Sequence, residues 1–194
     1  MRCTICSAWS VAVFCKNCTK SLLVPSLSTR KVGSLDVLSF FKYVELEVLL
    51  LSKHQAHGYR IYKALAKLSF RPFIEEFLES QEDKADKIYI IGIDESVKSG
   101  YSHVALLTHA MKYPNTKVLH AVLMAKNKVK YAGKSLEFRL DNPRNFIYKG
   151  KENIKAILVD DIITTGQTIK EAQKVLERHH VEVLFALTLA DVRE

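Results

Sequence analysis

The chain has 194 residues, 48% of them apolar, and 29 Lys and Arg against 21 Asp and Glu give a formal net charge of +8. That length suffices for one sizeable core, while no apolar run approaches the roughly 20 residues a helix needs to cross a bilayer. A membrane-spanning helix is therefore excluded, and the lack of a charged start with a long apolar run and small-residue cleavage site makes the chain read as cytoplasmic.

Residues 1–30 are too few to fold without a staple, and they hold all 4 cysteines. Cys3-Thr-Ile-Cys6 and Cys15-Lys-Asn-Cys18 are two C-x-x-C pairs. Each offers two thiolates to one metal, and together they make a structural Cys₄ zinc site with a short spacer, residues 7–14. Disulfides are the alternative, and a reducing compartment favours zinc. The expected division is a zinc module over 1–30 and one main domain over 31–194.

Residues 34–43 read as a strand or hairpin arm, and Val44–Leu51 as an apolar helical turn. Gly58–Glu79 reads as one helix or two, because Pro72 breaks or kinks the pattern. Ile88–Ile93 is a buried-strand run, Tyr101–Met111 is helical, and Lys117–Leu123 is the next strand. Residues 125–144 are lysine-rich without strong periodicity. Ala156–Val159 is a continuous apolar strand, Gly166–His180 a helix, and Val181–Ala190 a closing strand. Alternating strands and helices favour an α/β fold with a doubly wound, mostly parallel sheet.

Charge is unevenly spread. Before Leu35, the basic residues Arg2, Lys16, Lys20, Arg30 and Lys31 meet no acidic residue. Between Glu95 and Glu137 there is again none, while Lys98, Lys112, Lys117, Lys126, Lys128, Lys130 and Lys134 occur. This asymmetry fits a polyanionic partner, with a solvated basic face as the alternative. Lys16, Lys20, Lys126, Lys128, Lys130 and Lys134 are the candidate DNA contacts, and Tyr43, Tyr59, Tyr101, Tyr113 and Tyr131 the candidate stacking platforms.

The most informative stretch is 156–168, Ala-Ile-Leu-Val-Asp-Asp-Ile-Ile-Thr-Thr-Gly-Gln-Thr. A buried strand delivers Asp160 and Asp161 to its carboxyl end, where open α/β sheets place ligands. A turn with Thr164, Thr165, Gly166 and Thr168 then opens a helix, whose amides and dipole suit a phosphate. The carboxylates would repel that phosphate, so their partners are ribose hydroxyls or hydrated Mg²⁺. An ordinary strand followed by a capped helix is the alternative.

This segment resembles the signature of type I phosphoribosyltransferases, which bind 5-phosphoribosyl-1-pyrophosphate with Mg²⁺. The resemblance implies that Asp160 and Asp161 hold the ribose hydroxyls and that Ile163, Thr164, Thr165, Gly166, Gln167 and Thr168 wrap the 5-phosphate. It also implies a pyrophosphate loop at Gly92–Gly100, drawing on Asp94, Glu95, Lys98 and Gly100. Asp94 and Glu95 fit there only by facing Mg²⁺ or turning outward. Residues 125–144 take the place of the mobile hood.

A Cys₄ knuckle joined to such a domain resembles the ComF competence family. Gly100-Tyr101-Ser102-His103 lies where that family has Gly-Phe-Asn-Gln, and Arg139, Asn142 and Phe146 recover its Arg-x-x-Asn-x-x-x-Phe spacing. The family's Pro-Val-Pro is replaced around Gly92–Asp94. The resemblance implies handling of single-stranded transforming DNA, with a competence helicase and the inner-membrane DNA channel as partners and a peripheral place at that membrane. An active phosphoribosyltransferase is the alternative, and a docking adaptor a third. Catalytic residues are not identified, and His103, His109 and His120 are only loose candidates for recognising a base.

Overall fold

The computed structural model describes residues 1–81, 87–93, 100–127 and 136–193. A hairpin of β1 (Ser28–Val32) and β2 (Leu35–Lys42) begins the main sheet. Next in chain order come α2 (Tyr43–Leu51), a 3-10 turn (Ser52–His54), α3 (Gly58–Leu68) and α4 (Phe70–Glu79); the short α1 (Lys16–Ser21) precedes the hairpin. Then follow β3 (Ile88–Gly92), α5 (His103–Ala110), β4 (Thr116–Leu119), β5 (Leu123–Ala125), α6 (Leu136–Asp141) and β6 (Phe146–Tyr148). β7 (Ile154–Ile163), α7 (Gln167–Arg178) and β8 (Val181–Asp191) complete the set.

The six-stranded sheet has the order β1-β2-β8-β7-β3-β4, antiparallel only between β1 and β2. β7 sits among parallel partners, which explains its continuous apolar run: strands covered on both faces need no polar side. α2 to α5 cover one face around Phe40, Leu46, Tyr62, Leu65, Phe70 and Leu107. On the other face α7 lays down Ile169, Ala172 and Leu176, on one side of a helix, over Val37, Ile91 and Leu158. Phe14 and Leu23 from the cysteine-bearing segment belong to the first of these cores.

Pro72 does not break its own helix. The helix boundary lies at Ser69, and Pro72 stands in the first turn of α4, where a missing amide proton costs nothing. The same missing donor prevents α3 from running on into α4 as one helix.

The strand expected over 117–123 is two strands. β4 stops at Leu119, and Ala121 has φ +53, a left-handed conformation that breaks the extended chain. β5 then leaves the main sheet to pair antiparallel with β6. The final helix is also shorter than its apolar period suggests: it begins after Gly166 and ends at Arg178, with His180 at φ +55 reversing the chain into β8.

Candidate functional site

The acidic pair lies in the last turns of the pleat of β7, at the carboxyl edge of the sheet. Successive strand residues face opposite sides, so Asp160 and Asp161 are not equivalent. Asp161 is buried, and its Oδ2 receives Lys53 Nζ at 2.8 Å and lies 3.3 Å from His103 Nε2. Burial by itself would raise the Asp161 carboxyl, but Lys53 and His103 outweigh it and hold it well below the ordinary carboxylate range. Asp160 is half-buried, and its Oδ1 accepts the Asp161 amide at 2.8 Å. Tyr62 stands against the same acid; burial first, and the Asp161 charge second, push its phenol well above its usual value, while its hydroxyl donates to Leu50 O at 3.3 Å.

Lys53 comes from the 3-10 turn after α2, and His103 opens α5 behind the Ser102 N-cap, whose hydroxyl accepts the Ala105 amide at 3.0 Å. Three separate elements thus converge on one carboxylate. Sequence reasoning named His103 only loosely and missed Lys53. The available signal was that an acid inside a buried strand needs a cationic partner.

The turn after β7 is built with equal care. Gly166 caps α7 at φ +81, and a Cβ on it would come within 2.7 Å of Val32 Cγ2. Arg30 of β1 reaches across to donate to Thr164 O at 2.5 Å and to Asp191 Oδ1 at 3.0 Å. The hairpin therefore forms a wall behind the turn, a role its basic count did not reveal. Thr165 Oγ1 accepts the Gln167 amide at 3.4 Å, and Gln167 Nε2 donates to Glu171 Oε1 at 3.1 Å. Glu171 uses its other oxygen to hold the Arg144 amide at 2.8 Å, tying the turn to the segment before β6. Ile163 is buried and contributes its backbone, with its carbonyl accepting the Val192 amide at 3.0 Å. Thr164, Thr165, Gln167 and Thr168 are part-exposed around the turn. Gly166→Ala combines a left-handed non-glycine residue with a clash against the Val32 side chain. It is expected to distort the turn at a cost of about 1–3 kcal/mol, read as a fall in melting temperature.

Asp94, Glu95 and Lys98 lie outside the described residues, as do Lys128, Lys130, Lys134 and Tyr131. Gly100 is exposed at φ +80. Gly92 has a packing role: a Cβ there would meet Val104 Cγ1 at 2.8 Å, so its small size lets α5 close on β3. His109 and His120 are exposed. Lys16, Lys20 and Lys126 are exposed too, and Lys126 lines a shallow cavity of about 350 Å³ with Lys174 and Arg178 of α7. The two α7 cations were not among the sequence candidates.

The four cysteine sulfurs, Cys3, Cys6, Cys15 and Cys18, lie within 4.8 Å of one another. A tetrahedral zinc ion with ordinary zinc–sulfur bonds spaces its sulfurs about 3.8 Å apart, and Cys6 and Cys15 are at 3.6 Å. All four are free thiols, so there is no disulfide pair among them. Burial raises the Cys3 thiol, yet the amides of Cys6, Cys15 and Ile5 draw it down to about 6. Burial and the three neighbouring sulfurs push Cys18 up to about 12. A cluster of this kind fits a divalent ion, whose charge offsets the cost of bringing thiolates together.

No protein-family model matches the chain, and no curated protein matches it. Among solved structures it is similar to a hypoxanthine phosphoribosyltransferase from Staphylococcus aureus, with 13% identity, a TM-score of 0.42 and coverage of 66% of this chain and 64% of that one. The chain thus spans a little under two thirds of that protein's length. It is also similar to adenine phosphoribosyltransferases from Saccharomyces cerevisiae and Leishmania donovani. The first has 14% identity, a TM-score of 0.44 and coverage of 91% and 89%. The second has 12% identity, a TM-score of 0.45 and coverage of 85% and 75%.

Proposed function

We propose that the carboxyl edge binds 5-phosphoribosyl-1-pyrophosphate accompanied by Mg²⁺, and that the protein handles single-stranded DNA in natural transformation, as the ComF resemblance suggests. The observation that carries the first part is the juxtaposition of half-buried Asp160 with the Gly166 turn at the start of α7. Amides at that helix start suit the 5-phosphate, while Asp160 is placed to take ribose hydroxyls or the metal. Asp161 shares the role through its backbone position and through Lys53, which it holds. That cation keeps the acidic edge from repelling a highly charged ligand.

The DNA part is supported by the exposed lysines around the cysteine cluster and by the Lys126, Lys174 and Arg178 cavity. The cysteine cluster and the helicase or membrane channel of the competence machinery are the proposed docking pair. Binding to strand backbones weakens as salt rises, because counterion release drives it.

Calorimetry with 5-phosphoribosyl-1-pyrophosphate and Mg²⁺ tests the first part directly. Wild type is expected to bind, and Asp160→Asn to bind at least about tenfold more weakly, since a charged hydrogen bond is worth about 1.5–3 kcal/mol. No heat from wild type would end the reading. Retention of a short single strand at low salt and its release at high salt tests the second part.

A working phosphoribosyltransferase is the second reading, favoured by the same turn. Its chemistry would rest on electrostatic stabilisation of an oxocarbenium-like centre and of the departing pyrophosphate. Pyrophosphate release across a panel of nucleobases, abolished in Asp160→Asn, would establish turnover.

A further inference from the structure

Beside the acidic pair, the turn from Ser52 to Gly58 and the start of α5 bring two tyrosines together. Tyr59 and Tyr101 meet edge to face, with ring centroids 5.8 Å apart and planes at 88°. Tyr59 is 41% exposed, although it stands in the first turn of a helix whose other aromatic, Tyr62, is fully buried. Lys63 Nζ lies 5.6 Å from the Tyr59 ring centroid. Tyr101 is fixed from below by its hydroxyl, which donates to Gln55 O at 3.3 Å. A Cβ at Gly58 would come within 2.5 Å of that hydroxyl, so the glycine leaves Tyr101 its seat.

The pair is linked to the acidic edge on both sides. Gln55 follows Lys53, which bonds Asp161, and Tyr101 precedes His103, which contacts the same oxygen. Two residues of chain span at most about 7 Å, so the backbone under Tyr101 lies beside that of His103 at this edge. The ordinary reason for a tyrosine pair is burial, and it does not apply to Tyr59.

We propose that Tyr59 and Tyr101, with Lys63, form a stacking site for a nucleobase of single-stranded DNA at the rim of the carboxyl edge. The exposed Tyr59 ring supplies the stacking surface, Tyr101 braces it at a right angle, and the lysine that lies over the ring moves aside for the base and neutralises the adjoining backbone phosphate. Stacking of this kind accepts any base, since every base has a π-face. The choice of a nucleobase rests on the reading of this edge as a sugar-phosphate site, and the following experiment separates the two.

A short single-stranded deoxyoligonucleotide carrying one 2-aminopurine is titrated with the full chain, and its fluorescence is followed. Wild type is expected to quench it. Tyr59→Leu should lose the quench and bind about tenfold more weakly, the loss of one base–aromatic stack. Tyr113→Leu, on a tyrosine that instead sits under Arg71, should behave as wild type. An undiminished quench with Tyr59→Leu, or an abasic strand bound as tightly as the parent, would overturn the proposal. Parallel calorimetry with 5-phosphoribosyl-1-pyrophosphate distinguishes the failures. If wild type binds that ligand but the quench ignores Tyr59, the stacking site is wrong and the sugar-phosphate site stands. If wild type ignores the ligand while the quench follows Tyr59, the reverse holds.

Discussion

Lys53→Met is expected to lower the stability of the protein by about 3 kcal/mol, a fall of about 10 °C in melting temperature for a chain of this size. The substitution keeps the aliphatic stem and removes the ammonium 2.8 Å from Asp161, whose side chain is only 9% exposed. A buried carboxylate that loses its partner must protonate or admit water, and either is costly. His103 remains beside the acid, so the loss should fall at the lower end of the range for broken buried pairs. The double variant with Asp161→Asn should recover part of it, because no uncompensated charge is then left. Chemical denaturation followed against pH gives an independent reading. Asp161 is held below its usual value, so its contribution is complete above the ordinary carboxylate range, about pH 4. It is lost only as pH falls through the lower folded value. The deficit of Lys53→Met should therefore be greatest near neutrality and shrink in acid, where the unpaired carboxyl takes up a proton.

Removing metal should have the second large effect. Purified chain is expected to carry one zinc per molecule, measured by elemental analysis, and a strong chelator should destabilise more than the first thirty residues. Phe14 and Leu23 are 4% and 2% exposed within the core that α2 to α5 share. Losing the knuckle would uncover two large apolar side chains, at roughly 3–6 kcal/mol together. Rebinding should release protons: Cys18 without metal stays a thiol far above neutral pH, and a zinc-bound sulfur must be a thiolate. Affinity should accordingly fall about tenfold or more for each pH unit below neutrality. Zinc retained at full stoichiometry in a Cys3→Ser, Cys15→Ser double variant would defeat the metal assignment.

The parts of the fold governed by local pattern were readable beforehand. The apolar run from Ala156 to Val159, the acids after it and the glycine before α7 each follow from nearest-neighbour chemistry, and so do the cysteine pairs. What escaped was set at a distance or by backbone geometry. Nothing near Lys53 in the chain announces that it ends 2.8 Å from an acid over a hundred positions away, and Arg30 read as surface charge until β1 brought it to Thr164. The division between β4 and β5 turns on Ala121 adopting a left-handed conformation that alanine rarely favours. Pattern alone could tell that Asp160 and Asp161 face opposite sides, but not that one of those sides holds a lysine and a histidine.

The register of β2 against β8 bears on how the chain reaches this state. Val37 pairs with Ala186 and Phe41 with Ala190, so the hairpin obtains its parallel neighbour only from the distant β8. During synthesis the hairpin waits, that edge without its neighbour, until β8 has emerged from the ribosome. Closing so long a loop is slow, and an unpaired strand edge invites association with other chains meanwhile. Expression at reduced temperature or with chaperone support should therefore raise the soluble yield of this protein more than that of a helical bundle of equal length.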